Sequence, residues 1–142
     1  MPSYKSILIA VDLSAESEQV IQKSLQLYPN LQDRVHLIHT SEHLITGYGQ
    51  LTGKNHCAAE THRRQEIYPV LKKLSEKFGI PCKNVHIRFG CPADAIHEFA
   101  EKIEADLIVS GSHGKHGIQL LLGSTANSIV HGAKCDVLSV RI

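Results

Sequence analysis

Residues 107 to 125 read LIVSGSHGKHGIQLLLGST. An apolar, β-branched segment, Leu107 to Ser110, runs into Gly111, Gly114 and Gly117, spaced three apart, and then into Gly123 followed by Ser124 and Thr125. A short apolar run bounded by glycine has the size and composition of a buried strand. Glycine lets the backbone take positive φ and approach a ligand closely, so Gly111 and Gly114 can turn successive amides toward one point as an anion nest. Ser124 and Thr125 stand where a helix would begin; its first amides and its dipole favour negative charge, and the two hydroxyls can donate to phosphate oxygens. Two converging donor sets suit a polyphosphate. The plainer reading, a surface loop made possible by glycine and a helix merely capped by Ser124, fits the composition equally well.

Working outward, four more runs have strand size: Ile7 to Val11, Val35 to His39, Val85 to Phe89 and Val137 to Arg141. Helical periodicity fills the gaps. Val20, Ile21, Ser24, Leu25 and Tyr28 recur at helical spacing after Ser14, a plausible N-cap, and before Pro29. Ile67, Val70, Leu71, Leu74 and Phe78 form a second stripe that stops at Gly79, a helix C-cap ahead of Pro81. Ala95, Ile96, Phe99, Ala100 and Ile103 form a third, after Pro92 and Asp94, and a fourth helix is expected from about Ser124. Pro69 interrupts the second stripe, and because an internal proline costs ~3 kcal/mol a kink or a break is expected there.

Alternation of strand and helix implies α/β architecture: a single-domain, open, five-stranded parallel sheet with helices on both faces, joined by right-handed crossovers. In such Rossmann-like sheets ligands bind outside the carboxyl ends of the strands, where the strand order reverses. With the order 3-2-1-4-5, the crevice falls between the ends of strands 1 and 4. Those ends carry AVDLS, residues 10 to 14, and SGSHG, residues 110 to 114.

The remaining composition narrows the classes of function. The chain of 142 residues suits one domain, 1–142, able to bury ~70% of its unfolded surface. A net charge of +1 with acids and bases intermixed offers no basic stripe for nucleic acid or anionic lipid. The apolar run Ile7 to Val11 is too short to span a membrane, and no secretory h-region opens the chain, so a cytoplasmic protein is expected. Cys57, Cys82, Cys91 and Cys135 form no CxxC pair and are expected to be buried or idle thiols. His36 and His39, three apart on a strand, face opposite sides and cannot share a metal ion; His113 and His116 lack a nearby Cys or carboxylate to complete a shell. Some of the ten histidines are expected to gain charge near pH ~6.5.

Two nucleotide motifs are absent. GxxxxGK[ST] occurs nowhere: its nearest imitation, GYGQLTGKN at 47 to 55, lacks the first motif glycine and the hydroxyl after lysine, and reads as a loop with Asn55 as a possible helix cap. The turn after strand 1 has no glycines, which argues against NAD. No nucleophile–base arrangement and no acidic pair placed to activate water can be read from the spacing, so at most slow ATP hydrolysis is expected of a protein that chiefly binds.

Three segments carry a resemblance: ILIAVDLSAES from residue 7, GCPADAIHEFAEKIEADLIVSGSHG from 90, and GSTANSIVHGAKCDVLSVRI from 123. Together they resemble the universal stress protein family over essentially the whole chain. The resemblance implies a cytoplasmic stress-response protein of adenine nucleotide alpha hydrolase-like fold, commonly a homodimer. One branch of that family binds ATP or AMP through G-2x-G-9x-G-[ST], and another lacks the pattern. This chain has Gly111-2x-Gly114-8x-Gly123-Ser124, one residue short, a change that a loop absorbs but that would rotate a following helical segment by ~100°.

Carried over by position, the resemblance implies that Ala10, Val11 and Asp12 border adenine and ribose, that Thr40 faces the base, and that Ser110 and Gly111 lie on the ribose side. Gly114, Gly123, Ser124 and Thr125 would donate to phosphates, with His113 on the same loop and Lys115 and His116 adding positive charge. Asp12 could instead cap the first helix. The implied cofactor is ATP or AMP, with or without Mg2+. The last strand, VLSVRI, Val137 to Ile142, ends at a sheet edge, and pairing with its copy would make a homodimer. The alternative is a dimeric interaction module of the same family that binds no nucleotide. An ATP-cleaving ligase subunit is disfavoured because VDLSAES has no glycine–serine turn.

Overall fold

The computed structural model describes residues 4–41, 45–46, 49–50, 53–111 and 128–141, with backbone alone at 45–46, 49–50 and 53–59. Strand β1 (Ile7–Ala10) is central, because four apolar residues in succession can be buried only between two covered faces. Around it lie β2 (Val35–Ser41), β5 (Val85–Phe89), β6 (Leu107–Gly111) and β7 (Asp136–Val140), in the order β5-β2-β1-β6-β7 and all parallel. In chain order that is the expected 3-2-1-4-5. A pair of two-residue strands, β3 (Ile45–Thr46) and β4 (Gly49–Gln50), forms a separate antiparallel hairpin where the sequence suggested only a loop.

Period-two alternation divides the core. Ile7, Ile9 and Val11, with Leu37, Ile87 and Val109, face helices α1 (Glu16–Leu27) and α2 (Gly53–Lys77) through Val20, Ile21, Ile67 and Leu71. Leu8, Ile38 and Ile108 face α3 (Pro92–Lys102) through Ile96, Phe99 and Ala100, and meet Ile129 of a final helix, α4 (residues 128–132). Each of the Val, Leu, Ile and Phe side chains contributes about 1.5–3 kcal/mol when fully buried.

Helix ends follow the sequence signals in part. Gly79, at φ +73°, closes α2 in a Schellman arrangement: its N–H donates to Glu76 O at 3.2 Å and Ile80 N–H to Ser75 O at 2.9 Å. Ser14 is not the N-cap of α1; that position falls on Ala15, and the Ser14 hydroxyl is engaged by Asp12 instead. Asn55 lies inside α2 rather than capping it. Pro69 does not break α2 into two pieces, since the helix runs through it for 25 residues. The cost of its missing N–H is offset by tertiary packing: Ile67 and Leu71 bury themselves on either side, while Pro69 itself is exposed.

Candidate functional site

β1 and β6 stay paired only as far as Ile9↔Val109, yet β6 continues against β7 through Ser110↔Ser139 and Gly111↔Val140. Beyond that point the two central strands part, and the crevice of an open sheet begins. On the other side β1 stays close to β2: Ala10 is in register with Ile38, and Val11 N–H donates to Ile38 O at 2.9 Å. Ala10, Val11, Asp12, Thr40, Ser110 and Gly111 are thus gathered at the carboxyl ends of three adjacent strands. Ser110 is buried.

Asp12 organises the mouth. Its Oδ1 accepts three hydrogen bonds: Ser14 N–H at 3.0 Å, Ser14 Oγ at 2.5 Å and Ser17 Oγ at 2.9 Å. The first is an Asx turn that redirects the chain from strand to helix; the third reaches the first turn of α1. An Asp at a helix start is also favoured by the dipole. Asp12 therefore builds the β1–α1 turn without capping α1, whose N-cap is Ala15, and it stands at the carboxyl end of β1.

Two residues to which the sequence assigned no part in the site complete this end. Leu13 adopts φ 66°, the left-handed region that β-carbon sterics make costly for a leucine. His39 lies beside Val11, with its Nδ1 2.9 Å from Val11 O. A carbonyl only accepts, so Nδ1 carries the proton and the ring is fixed in that tautomer. The signal for His39 is its place one residue before Thr40 on a central strand; Leu13 has no local signal, because the sequence shows a residue type that ordinarily avoids that conformation.

His113, Gly114, Gly123, Ser124 and Thr125, together with Lys115 and His116, lie outside the described residues. So does the start of α4 expected near Ser124. Of the thiols, Cys82 and Cys91 are exposed rather than buried, while Cys135 is half-buried and burial pushes its pKa up, which keeps it protonated and inert. Among the described residues no group of three or more His, Cys, Asp or Glu side chains is placed to hold a metal ion, and no helix is long and apolar enough to cross a membrane.

Fold and strand order define a class: small, open, doubly wound α/β proteins whose strand order reverses at the paired central strands β1 and β6. Within it the comparisons are specific. The family model for the universal stress protein family matches residues 3–141. Universal stress protein A homolog 2 of Coxiella burnetii is 38% identical, with 100% of this chain and 98% of the relative covered; homolog 1 of the same organism is 36% identical, with 96% of each covered. This chain belongs to the universal stress protein family. Among solved structures, hypothetical protein MJ0577, the subject of a structure-based assignment of biochemical function, superposes with a TM-score of 0.75 at 21% identity over 99% of this chain and 98% of the other. A universal stress protein crystallised in complex with cAMP superposes with a TM-score of 0.63 at 24% identity, again over 99% and 98%.

Proposed function

We propose that this protein is a cytoplasmic stress-response regulator that binds an adenine nucleotide, ATP or AMP, at the crevice between β1 and β6. The observation that carries the reading is the parting of those strands after Ile9↔Val109 directly beside the Asp12 turn. Ala10, Val11 and Thr40 supply the floor for a base and Asp12 an acceptor for ribose hydroxyls, with Ser110 and Gly111 on the far wall. Gly114, Gly123, Ser124 and Thr125, with His113 on the same loop, are the phosphate donors in this reading. The cAMP complex of a structural neighbour adds support for adenine nucleotide chemistry in this fold. Mg2+, when present, is a hard cation that keeps several waters and binds through phosphate oxygens, so it needs no dedicated cage of carboxylates. The protein's role is binding; hydrolysis, if any, is slow.

The partner proposed is a second copy, joined through Val137–Ile142. The sheet's two outer edges differ in a way that supports this. Gly90 N–H donates to Ser41 O at 2.9 Å, so the even residues of β5 face β2 and the odd ones point outward. The outward carbonyl of Ile87 is taken by Arg64 Nη1 at 3.1 Å and Arg88 Nη1 at 3.0 Å, which blocks strand addition on β5. β7 is the outer strand at the opposite edge. Removing Val137–Ile142 is expected to leave monomer or aggregate in light scattering; an unchanged dimer rejects this interface.

Mass spectrometry of ligand released from freshly purified protein, followed by calorimetric titration with ATP and AMP, tests the nucleotide reading. Binding that is lost in Gly123→Val and weakened in Ser124→Ala supports it. A folded protein that carries no nucleotide and gives no heat overturns it in favour of an interaction module without nucleotide. The spacer, one residue short between Gly114 and Gly123, is the feature that favours that second reading.

A further inference from the structure

We propose that His36 and His86 form an acid-sensitive latch between β2 and the outer strand β5, closed while the imidazoles share one proton at their contact and opened by further protonation. The two rings lie on the α3 face of the sheet, near the amino ends of their strands and so at the opposite end from the crevice. His36 Nδ1 is 3.0 Å from His86 Nε2, and the rings are nearly parallel, 19° apart with centroids at 5.3 Å. At that separation one nitrogen must donate and the other accept. A first extra proton can sit on the remote nitrogen of the donor ring and leave the bond intact. A second must go to the acceptor nitrogen, setting N–H against N–H.

The surroundings oppose both protons. Phe99 of α3 covers His86 at 4.3 Å and approaches His36 at 6.5 Å. The same ring carries the Arg88 guanidinium, 4.8 Å from the centroid, so an imidazolium would arrive beside a cation already in place. The charged groups facing the pair are Lys83 from the turn before β5, Arg88 on β5 and Lys102 on α3, all cations. Glu98 of α3 is the acid that lines the adjoining groove with Arg88, Phe99 and Lys102. Burial first, then Lys83, lowers the His36 pKa; burial first, then His36, Arg88 and Lys102, lowers that of His86 from 6.5 to about 4.

The sign follows. Both folded values lie below the unfolded one, so the unfolded chain binds more protons; stability is complete above pH ~6.5 and is lost as pH falls toward about 4. For His86 alone, going from pH 7 to pH 5 lowers the folding equilibrium constant roughly twentyfold. Glutamine supplies an amide donor and acceptor but does not titrate in this range, so His86→Gln and His36→Gln isolate the effect from the other histidines. Urea unfolding at pH 7 and pH 5 is expected to show wild type losing roughly twentyfold more than His86→Gln. Equal losses, within twofold, overturn the latch. Imidazole proton NMR on the unaltered protein guards against variants that fail to fold: His86 titrating at about 4, with His36 also below its ordinary value, supports the latch, and both titrating at the ordinary ~6.5 with the sheet intact overturn it.

Discussion

Replacing Asp12 by alanine removes one oxygen that holds three donors, and the structure indicates which loss dominates. Ser14 is partly exposed, so its N–H and hydroxyl can turn to water, at about 0.5–1.5 kcal/mol for the lost turn. Ser17 is only 3% exposed; its hydroxyl, 2.9 Å from Asp12, is left without an acceptor, and a buried unsatisfied hydroxyl costs about 1–3 kcal/mol. The negative charge ahead of α1 adds about 0.3–1 kcal/mol through the helix dipole. Asp12→Ala should therefore destabilise by about 2–5 kcal/mol in urea unfolding, while Asp12→Asn, which keeps the acceptor and loses the charge, should cost about 1 kcal/mol. The double-mutant cycle is the sharper assay. Once Ser17 is alanine there is no orphan to create, so Asp12→Ala in that background should cost about 1–3 kcal/mol less than in wild type. Additive losses would refute the reasoning, because they would mean that Ser17 finds another acceptor and that the Asp12 network is three independent surface bonds.

Two further substitutions test the helical layer. A Cβ at Gly132 would stand 2.3 Å from His97 Cε1, so Gly132→Ala must push aside an imidazole whose Nε2 donates to Ile129 O at 2.8 Å; a loss of about 1–3 kcal/mol is expected, largely recovered in the His97→Ala background. Pro69→Ala restores the missing donor to an exposed turn of α2 and should raise the unfolding free energy by about 1–2 kcal/mol after allowing for the more flexible unfolded chain, read as a higher urea midpoint; an unchanged or lower midpoint would show that the helix has already adapted to the ring.

What the sequence disclosed tracks where local pattern and global fold agree. ILIA at the centre, Gly79 at the end of α2 and the apolar stripe of α3 each have one physical solution, and all five sheet strands lie within two residues of their expected bounds. The crevice followed from topology alone. Three things did not. The β3–β4 hairpin is two residues long on each side, below the length at which alternation becomes a signal. The continuity of α2 through Pro69 depends on Ile67 and Leu71 docking on the sheet, a tertiary effect that outweighs propensity. The His36–His86 contact joins residues 50 apart in sequence and needs the β2–β5 register, which places His36 diagonally across from His86, the partner of Ile38.

Leu13 shows what kind of information sequence reading misses at a site. A left-handed residue other than glycine costs roughly 1–2 kcal/mol, and Asp or Asn would bear it more easily than leucine. Here the preceding residue carries the turn: Asp12 Oδ1 fixes Ser14, Leu13 is left to absorb the reversal, and its side chain packs against the α1–α2 core in return. Glycine at that position would relax the backbone, yet it would forfeit the packing and loosen the segment that aims Asp12. Strain beside a crevice and a rigid carboxylate are therefore one feature, since the conformation that local rules disfavour is the one that delivers Asp12 to the end of β1.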